Sequence, residues 1–523
     1  MFHVNRPGKS FINREEYADK VLGCWTGKSI GGALGAPMEG KKELFDVSFY
    51  TQEFNGDGVP NDDLDLQLLW LKAIEDHGIF GIDERVLGEY FVRNLTVFWN
   101  EYGVACVNLA NGLFPPLSGF CNNEVWKNSN GAWIRSEIWA CLFPGEPDEC
   151  APFAWCDSCI DHAEEGIYAE IFTVSLESAA FIESDLRRII HAALLRIPEK
   201  CRVARSVKIV LDSFDAGVDW KTARNRVVED SADLGWFQAP ANVAYVILAL
   251  IYGRGDFSRS ICLAVNCGDD TDCTGATCGA VLGILKGRSG IPEEWIHPIG
   301  ESIRTVAIDP LLAEAPETLR ELTRRVIRCK EEADFHHPAL VRLTEEKTFI
   351  EPSVREALFN GAETAKRVTA RPPASLKISL PFGLVTICFE KGPLLSPGES
   401  QKLTLEYSLP PQDNAILTIR WNLPAGWSLR EGTVQMIAGK LHSTRKLEVV
   451  LTAGEFSEAL MHIPLQFFLS GRNYPVPGII TFQRKRSLEA NTEEPFQEYW
   501  DCRNRFLARQ RCSSPCRSLE NPS

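Results

Sequence analysis

A chain of 523 residues with a net charge of −15 and a pI near 5.3 is too long for one ordinary core. It is also too acidic for a broad nucleic-acid or anionic-membrane footprint. Hydrophobic residues at 45% and charged residues at 24% match a globular protein, and no apolar run is long enough to span a bilayer. The first twenty residues lack the apolar centre of a signal peptide. Seventeen cysteines, several of them in apolar helical stretches (Cys24, Cys141, Cys262, Cys278), read as reduced core residues of a cytoplasmic protein rather than a disulfide framework.

Residues 15–34 open a series of segments with apolar residues at helical spacing, continued by 62–77, 83–100, 167–182, 204–216, 238–252 and 272–285. Alternating patterns are scarce here, so 1–335 is expected to be an all-α domain. In the first helix Gly23, Gly27, Gly31 and Gly35 recur every four residues. Glycine costs about 0.8–1 kcal/mol against alanine inside a helix, so a glycine face implies close approach of another backbone or a ligand. Lys28 and the short length exclude a membrane span. Gly27-Lys28-Ser29 is similar to the end of a phosphate-binding loop, but Leu22 stands where that loop needs glycine, and no strand leads in. Glu39 follows Pro37 just past this helix and, beside a metal, is a candidate to orient or deprotonate a water.

Asn61-Asp62-Asp63-Leu64-Asp65 starts the second helix, with Asn61 as its cap. Acids suit a helix N-terminus, yet three aspartates in four residues exceed what capping needs. Residues 110–133, rich in Gly, Pro, Ser and Asn, are expected to form an ordered loop within the helical domain. Trp155-Cys156-Asp157-Ser158-Cys159, with His162 nearby, offers a redox or zinc reading, but no βαβ pattern surrounds it and no second cysteine pair completes a site. Aromatic residues in 126–139 and 167–172 read as core, or as a surface that stacks on a base.

The second acidic cluster is Gly268-Asp269-Asp270-Thr271-Asp272. A helix with small residues at helical spacing, including Gly275, Gly279 and Gly283, follows it. Close packing of this helix on the first glycine helix is expected to bring their terminal loops together. Crowded carboxylates next to apolar helices are costly unless a cation neutralises them, and hard divalent ions prefer oxygen ligands. The two clusters are therefore expected to converge around one or two metal ions. After a helical or linker segment at 336–372, short alternating runs from 373 to 486 with Pro- and Gly-rich turns between them, one at 410–412, indicate a small immunoglobulin-like β-sandwich. The polar stretch 487–523 is expected to be a mobile tail.

Gly31-Gly32-Ala33-Leu34-Gly35-Ala36-Pro37-Met38-Glu39, Asn61-Asp62-Asp63 and Gly268-Asp269-Asp270-Thr271-Asp272, in that order and separation, resemble the motifs of the ADP-ribosylglycohydrolase family. The resemblance spans about residues 15–330. It implies an all-α catalytic domain, here followed by the small β-sandwich, and a binuclear Mg²⁺ (or Mn²⁺) centre that hydrolyses an N- or O-ribosyl glycosidic bond. By position, it implies metal ligands at Asn61, Asp62, Asp63, Asp270 and Asp272, and catalytic roles for Glu39, Asp62 and Asp63. Asn128, Ser129, Asn130 and Gly131 resemble the family's glycine-rich substrate loop, and His162 stands where the family often has a substrate-contacting histidine. The family usually begins its first cluster with threonine, where Asn61 stands here, and commonly has threonine at the position of Cys273. A thiol is a poor Mg²⁺ ligand, so the second ion is the less settled of the two.

The implied partners are a small riboside or an ADP-ribosylated substrate, with neither nucleic acid nor membrane. The rival reading is a non-catalytic family member that binds ADP-ribose or a nucleotide, or is structural. The aspartates at the matched metal positions Asp62, Asp63, Asp270 and Asp272 argue against it.

Overall fold

The computed structural model describes residues 10–485 apart from 55, 236, 337–338, 361, 409–415 and 439–443. The tail expected at 487–523 and the turn at 410–412 lie outside the described residues. The chain forms two compact units. One holds the chain up to Tyr102 together with Val125–Arg371; the other holds Gly103–Glu124 together with the chain from Pro372.

The first unit is helical. Helix Arg14–Gly35 is capped by Asn13, whose side chain accepts from the amides of Glu15 and Glu16. Helix Asp62–His77 is capped by Asn61, which accepts from Asp63 N at 2.7 Å. Helices Glu165–Ala180, Arg202–Asp215 and Trp220–Asp230 follow. Ala239–Tyr252, buried on every face from Ala239 to Ile251, is a central helix of the unit. The expected helix at 83–100 ends earlier, at Asn94. Segment 336–372 contributes strand Val341–Thr344, parallel to Ser10–Asn13, and short helices Pro352–Ala357 and Glu363–Thr369.

Helices Arg14–Gly35 and Thr271–Lys286 pack antiparallel along their glycines. A Cβ on Gly27 would lie 2.0 Å from Gly279 O, and one on Gly31 would lie 1.9 Å from Gly275 O. Reciprocally, a Cβ on Gly283 would meet Gly23 O at 1.9 Å. Real Cβ atoms do not come so close, so the backbones touch because both faces lack side chains; such approaches bring Cα–H groups onto carbonyl oxygens. At the end of the contact Thr271 Oγ1 donates to Gly35 O at 2.8 Å. The C-terminus of one helix is thereby set beside the N-terminus of the other.

The second unit is built from two five-stranded sheets. One runs Ser375–Leu380, Gly383–Phe389, Ser400–Ser408, Thr444–Thr452, Ser428–Leu429; the other runs Leu394–Leu395, Val476–Arg484, Leu460–Leu469, Ile416–Trp421, Val434–Ala438. Pairing is antiparallel except between Leu394–Leu395 and Val476–Arg484. Alternate residues of both sheets, among them Ile387, Leu405 and Val449 from one and Ile419, Phe467 and Ile480 from the other, share one apolar core. Leu113, Leu117 and Cys121 belong to the same core. The first half of the segment expected as a helical-domain loop is thus part of the β unit. Its apolar residues, four apart, bury there instead.

Candidate metal centre and pocket

Three local features set the carboxylates. Asn61 caps its helix through its side chain, which fixes Asp62 and Asp63 in the first turn. Gly268, at φ +72°, lets the chain pass close under Glu43, where a Cβ would lie 2.0 Å from Glu43 O. Lys41 and Asp269 then pair through their backbones, with Asp269 N donating to Lys41 O at 2.8 Å and Gly40 N to Asp269 O at 3.0 Å. That pairing carries Glu39 to the start of the Thr271–Lys286 helix. Asp270 occupies the N-cap of this helix but makes no side-chain cap. Its carboxylate turns instead toward the other acids, where its Oδ2 accepts from Asn130 Nδ2 at 2.6 Å. Asn242 Oδ1 accepts from the Asp270 amide at 3.2 Å.

The outcome is two overlapping donor groups, Glu39–Asp270–Asp272 and Asp63–Asp272–Cys273, each with its ligand atoms within 4.8 Å of one another. Asp272 belongs to both. Asp63 Oδ2, Asp270 Oδ1 and Asp272 Oδ1 are buried with no hydrogen-bond donor. Lys28 Nζ stands 3.9 Å from Asp63 Oδ2 but is held by Glu137 at 2.8 Å and by Ile134 O at 2.6 Å. Burial, then neighbouring carboxylates, push Glu39 up to about 7 and Asp62 up to about 6, and drive Asp63 and Asp270 well above the usual range. Buried oxygens without donors, with pKa values raised by burial and then by mutual repulsion, are what a hard cation relieves. The residues present fit one.

The sequence-predicted residues divide in two. Glu39, Asn61, Asp62, Asp270 and Asp272 line one cavity of about 720 Å³, and Asp63 lies in the group sharing Asp272. Asn61 Oδ1 is engaged as a cap, and Asp62 Oδ2 accepts from Tyr102 OH at 3.3 Å. Ser129, Asn130, Gly131 and His162 are buried and bonded inside the protein. Asn130 braces Asp270 and accepts from Trp133 Nε1 at 2.9 Å. His162 bonds through Nδ1 to Asp161 at 2.8 Å and through Nε2 to Ser129 Oγ at 3.1 Å. Asp161 in turn accepts from the buried Arg135, which holds its carboxyl down at about 2 against the cost of burial. Asn128 ties helix starts together, accepting at Oδ1 from Glu165 N and at its carbonyl from Ala239 N. Asp65, the third acid of the first cluster, accepts from Val306 N and Ala307 N at 2.7 and 2.6 Å and so pins the cavity wall at Val306.

Sequence reasoning missed the opposite wall: Phe98, Trp99, Glu101, Tyr102 and Phe237. Trp99 is 47% exposed although large and apolar, and Glu101 is buried with Oε2 lacking a donor and its carboxyl pushed by burial to about 7. No spacing rule marks these residues, and their exposure and burial become visible only in the fold. Cys156 and Cys159 are buried, the first donating to Glu84 Oε2 at 3.5 Å and the second to the Cys156 carbonyl at 3.5 Å, and among the described residues neither joins a group of three candidate ligands.

The raised carboxyls set a pH dependence. A carboxyl near 6–7 when folded but about 4 when unfolded binds more protons in the folded state between those values. Its contribution is present at low pH and is lost as pH rises through the folded pKa. The thermal midpoint of chelator-treated protein is therefore expected to fall between about pH 5 and about pH 8, and millimolar Mg²⁺ or Mn²⁺ to flatten that fall. A midpoint that is level or rising across this window in chelator would contradict the electrostatic picture of the site.

A helical unit that gathers buried carboxylates at apposed helix ends, beside a cavity lined by aromatic side chains, offers a set of ligands that could hold a metal ion. A family model described as ADP-ribosylglycohydrolase matches residues 13–331, and the chain belongs to that family. An ADP-ribosylarginine hydrolase Tri1 from Pseudomonas putida (strain GB-1) is 38% identical over 52 residues, 10% of this chain and 14% of that protein. A Tri1 from Serratia proteamaculans (strain 568) is 35% identical over 68 residues, 13% of this chain and 19% of that protein. The chain thus spans less than a fifth of the length of these relatives. A solved alkylpurine DNA glycosylase AlkC from Pseudomonas fluorescens, bound to DNA containing an abasic site analog, aligns over 82% of this chain and all of that one at 10% identity. Its TM-score of 0.14 carries no structural argument. Among the described residues, no helix is long and apolar enough to cross a membrane.

Proposed function

We propose that this protein is a metal-dependent hydrolase of an N- or O-ribosyl bond, acting on an ADP-ribosylated protein or small molecule through a binuclear Mg²⁺ or Mn²⁺ centre. The observation that carries the reading is the pair of donor groups sharing Asp272 at the floor of the cavity. Asp62, Asp63, Asp270 and Asp272 would hold the ions, with the remaining oxygen lone pairs of Asn61 beside them. When bound, such ions polarise sugar hydroxyls and lower the pKa of a water.

The rest is done by side chains of this chain. Glu39, exposed at the rim, takes the proton from the attacking water and returns it to the leaving group as positive charge develops on the ribose. Asn130 and Tyr102 keep Asp270 and Asp62 aimed inward. The Arg135–Asp161–His162–Ser129 chain fixes the buried loop from which Asn130 projects. Phe98, Trp99 and Phe237 cover a planar group and exclude water from one side. The buried cysteines suit a reducing compartment such as the cytoplasm.

The test is a panel of ADP-ribosylated peptides and plain ribosides incubated with Mg²⁺ or Mn²⁺ and scored for released sugar. ADP-ribosylarginine stands first, given the names of the two relatives. Metal-dependent release from at least one member is expected, with loss in chelator. Tight binding of ADP-ribose with no product from any member would move the protein to the non-catalytic reader class.

A further inference from the structure

The two donor groups differ in kind. Glu39, Asp270 and Asp272 offer oxygen alone, whereas the other group replaces one oxygen by the sulfur of Cys273. Cys273 is 4% exposed, lies in the first turn of helix Thr271–Lys286 and lines the cavity. Its Sγ is 3.3 Å from Asp63 Oδ1. The remaining oxygen of Asp63, and Oδ1 of Asp272, are buried without donors. The sulfur therefore lies near enough to the Asp63 and Asp272 oxygens to serve the same ion. Sulfur disfavours Mg²⁺ and selects borderline ions.

We propose that the centre is asymmetric: a hard ion on Asp270 and Asp272 with Glu39 at its edge, and a borderline transition ion of the Zn²⁺, Fe²⁺ or Co²⁺ class on Asp63, Asp272 and the thiolate of Cys273. On binding, the S–H bond breaks, its proton leaves to water through the cavity, and the sulfur lone pair forms the metal bond; nothing is oxidised or reduced. The inference rests on the metal-binding reading of the site and specifies which ion one half of it takes. A purely structural Cys273 would keep its thiol hydrogen bond to Asp63 and ignore the identity of the ion.

The experiment is titration of the chelator-treated full chain with Co²⁺, followed by absorption spectroscopy and calorimetry, for the wild type, Cys273→Ser and Cys273→Ala. The wild type is expected to bind cobalt with an intense near-ultraviolet sulfur-to-cobalt band. Both variants are expected to lose that band while still binding cobalt at the all-oxygen group. Zn²⁺ affinity is expected to drop at least about tenfold in Cys273→Ser with Mg²⁺ affinity little changed. Cobalt bound by the wild type with no such band, or a band that persists in both variants, would overturn the asymmetric centre while leaving a metal site in place. Failure of the wild type to bind cobalt, Mg²⁺ or Mn²⁺ would overturn this inference and the metal-dependent function together. Should neither variant fold, the wild-type spectrum by itself still decides, since a missing band refutes thiolate ligation.

Discussion

Gly31→Ala is expected to destabilise the helical unit by more than about 3 kcal/mol, beyond the 1–3 kcal/mol typical of an overpacked core. The added Cβ would sit 1.9 Å from Gly275 O and 2.2 Å from Gly275 C. These are backbone atoms, so no side-chain rotation relieves the clash, and two helices must part. Gly27→Ala, 2.0 Å from Gly279 O, should behave alike. Gly235→Ala, with nothing within 4 Å and no left-handed backbone, is the control and should be neutral. Urea midpoints measure the difference; a Gly31→Ala midpoint equal to that of the control would refute the backbone contact. The loss would extend to metal binding, because the same packing apposes the helix ends that carry Glu39 and Asp270.

Asp270→Asn should lower turnover by about 10³-fold, since a metal's contribution to the transition state is worth several kcal/mol, and should weaken divalent-ion binding in calorimetry. Stability should move the other way. Asp270 is buried among carboxylates that push its pKa well up, and an amide of the same shape removes that repulsion while still accepting from Asn130. The metal-free variant is therefore expected to melt at or above the wild-type midpoint, and to gain less from added Mg²⁺. Near-wild-type turnover, or a lower midpoint with an unchanged response to metal, would remove Asp270 from the centre.

Some of this was legible before any coordinates. The four-residue glycine period in two distant segments announced a close helix pair, because glycine is tolerated there for little else. The longer strands of the β unit were visible through their alternation, the hairpin Ser375–Leu380 and Gly383–Phe389 among them. Strands of two residues, such as Ser428–Leu429, are too short to show a period. The destination of Leu113, Leu117 and Cys121 was hidden, since apolar spacing shows that a face will be buried but not which core receives it. Glu101 and Trp99 were hidden for a similar reason: their meaning comes from facing the acidic cage across a cavity.

By itself, the sequence determined the helical class of the long apolar segments, the alternation of the longer strands, the two acidic helix starts, and the glycine faces that oblige two helices to touch. These follow from local propensity and periodicity, which every short window carries. Only the tertiary structure decided that Asp272 is common to two donor groups, that Asp65 secures a wall rather than joining the cage, and that Ser129 and His162 support the site from within. Distances between residues some two hundred positions apart depend on how the helices pack, and no local spacing contains them.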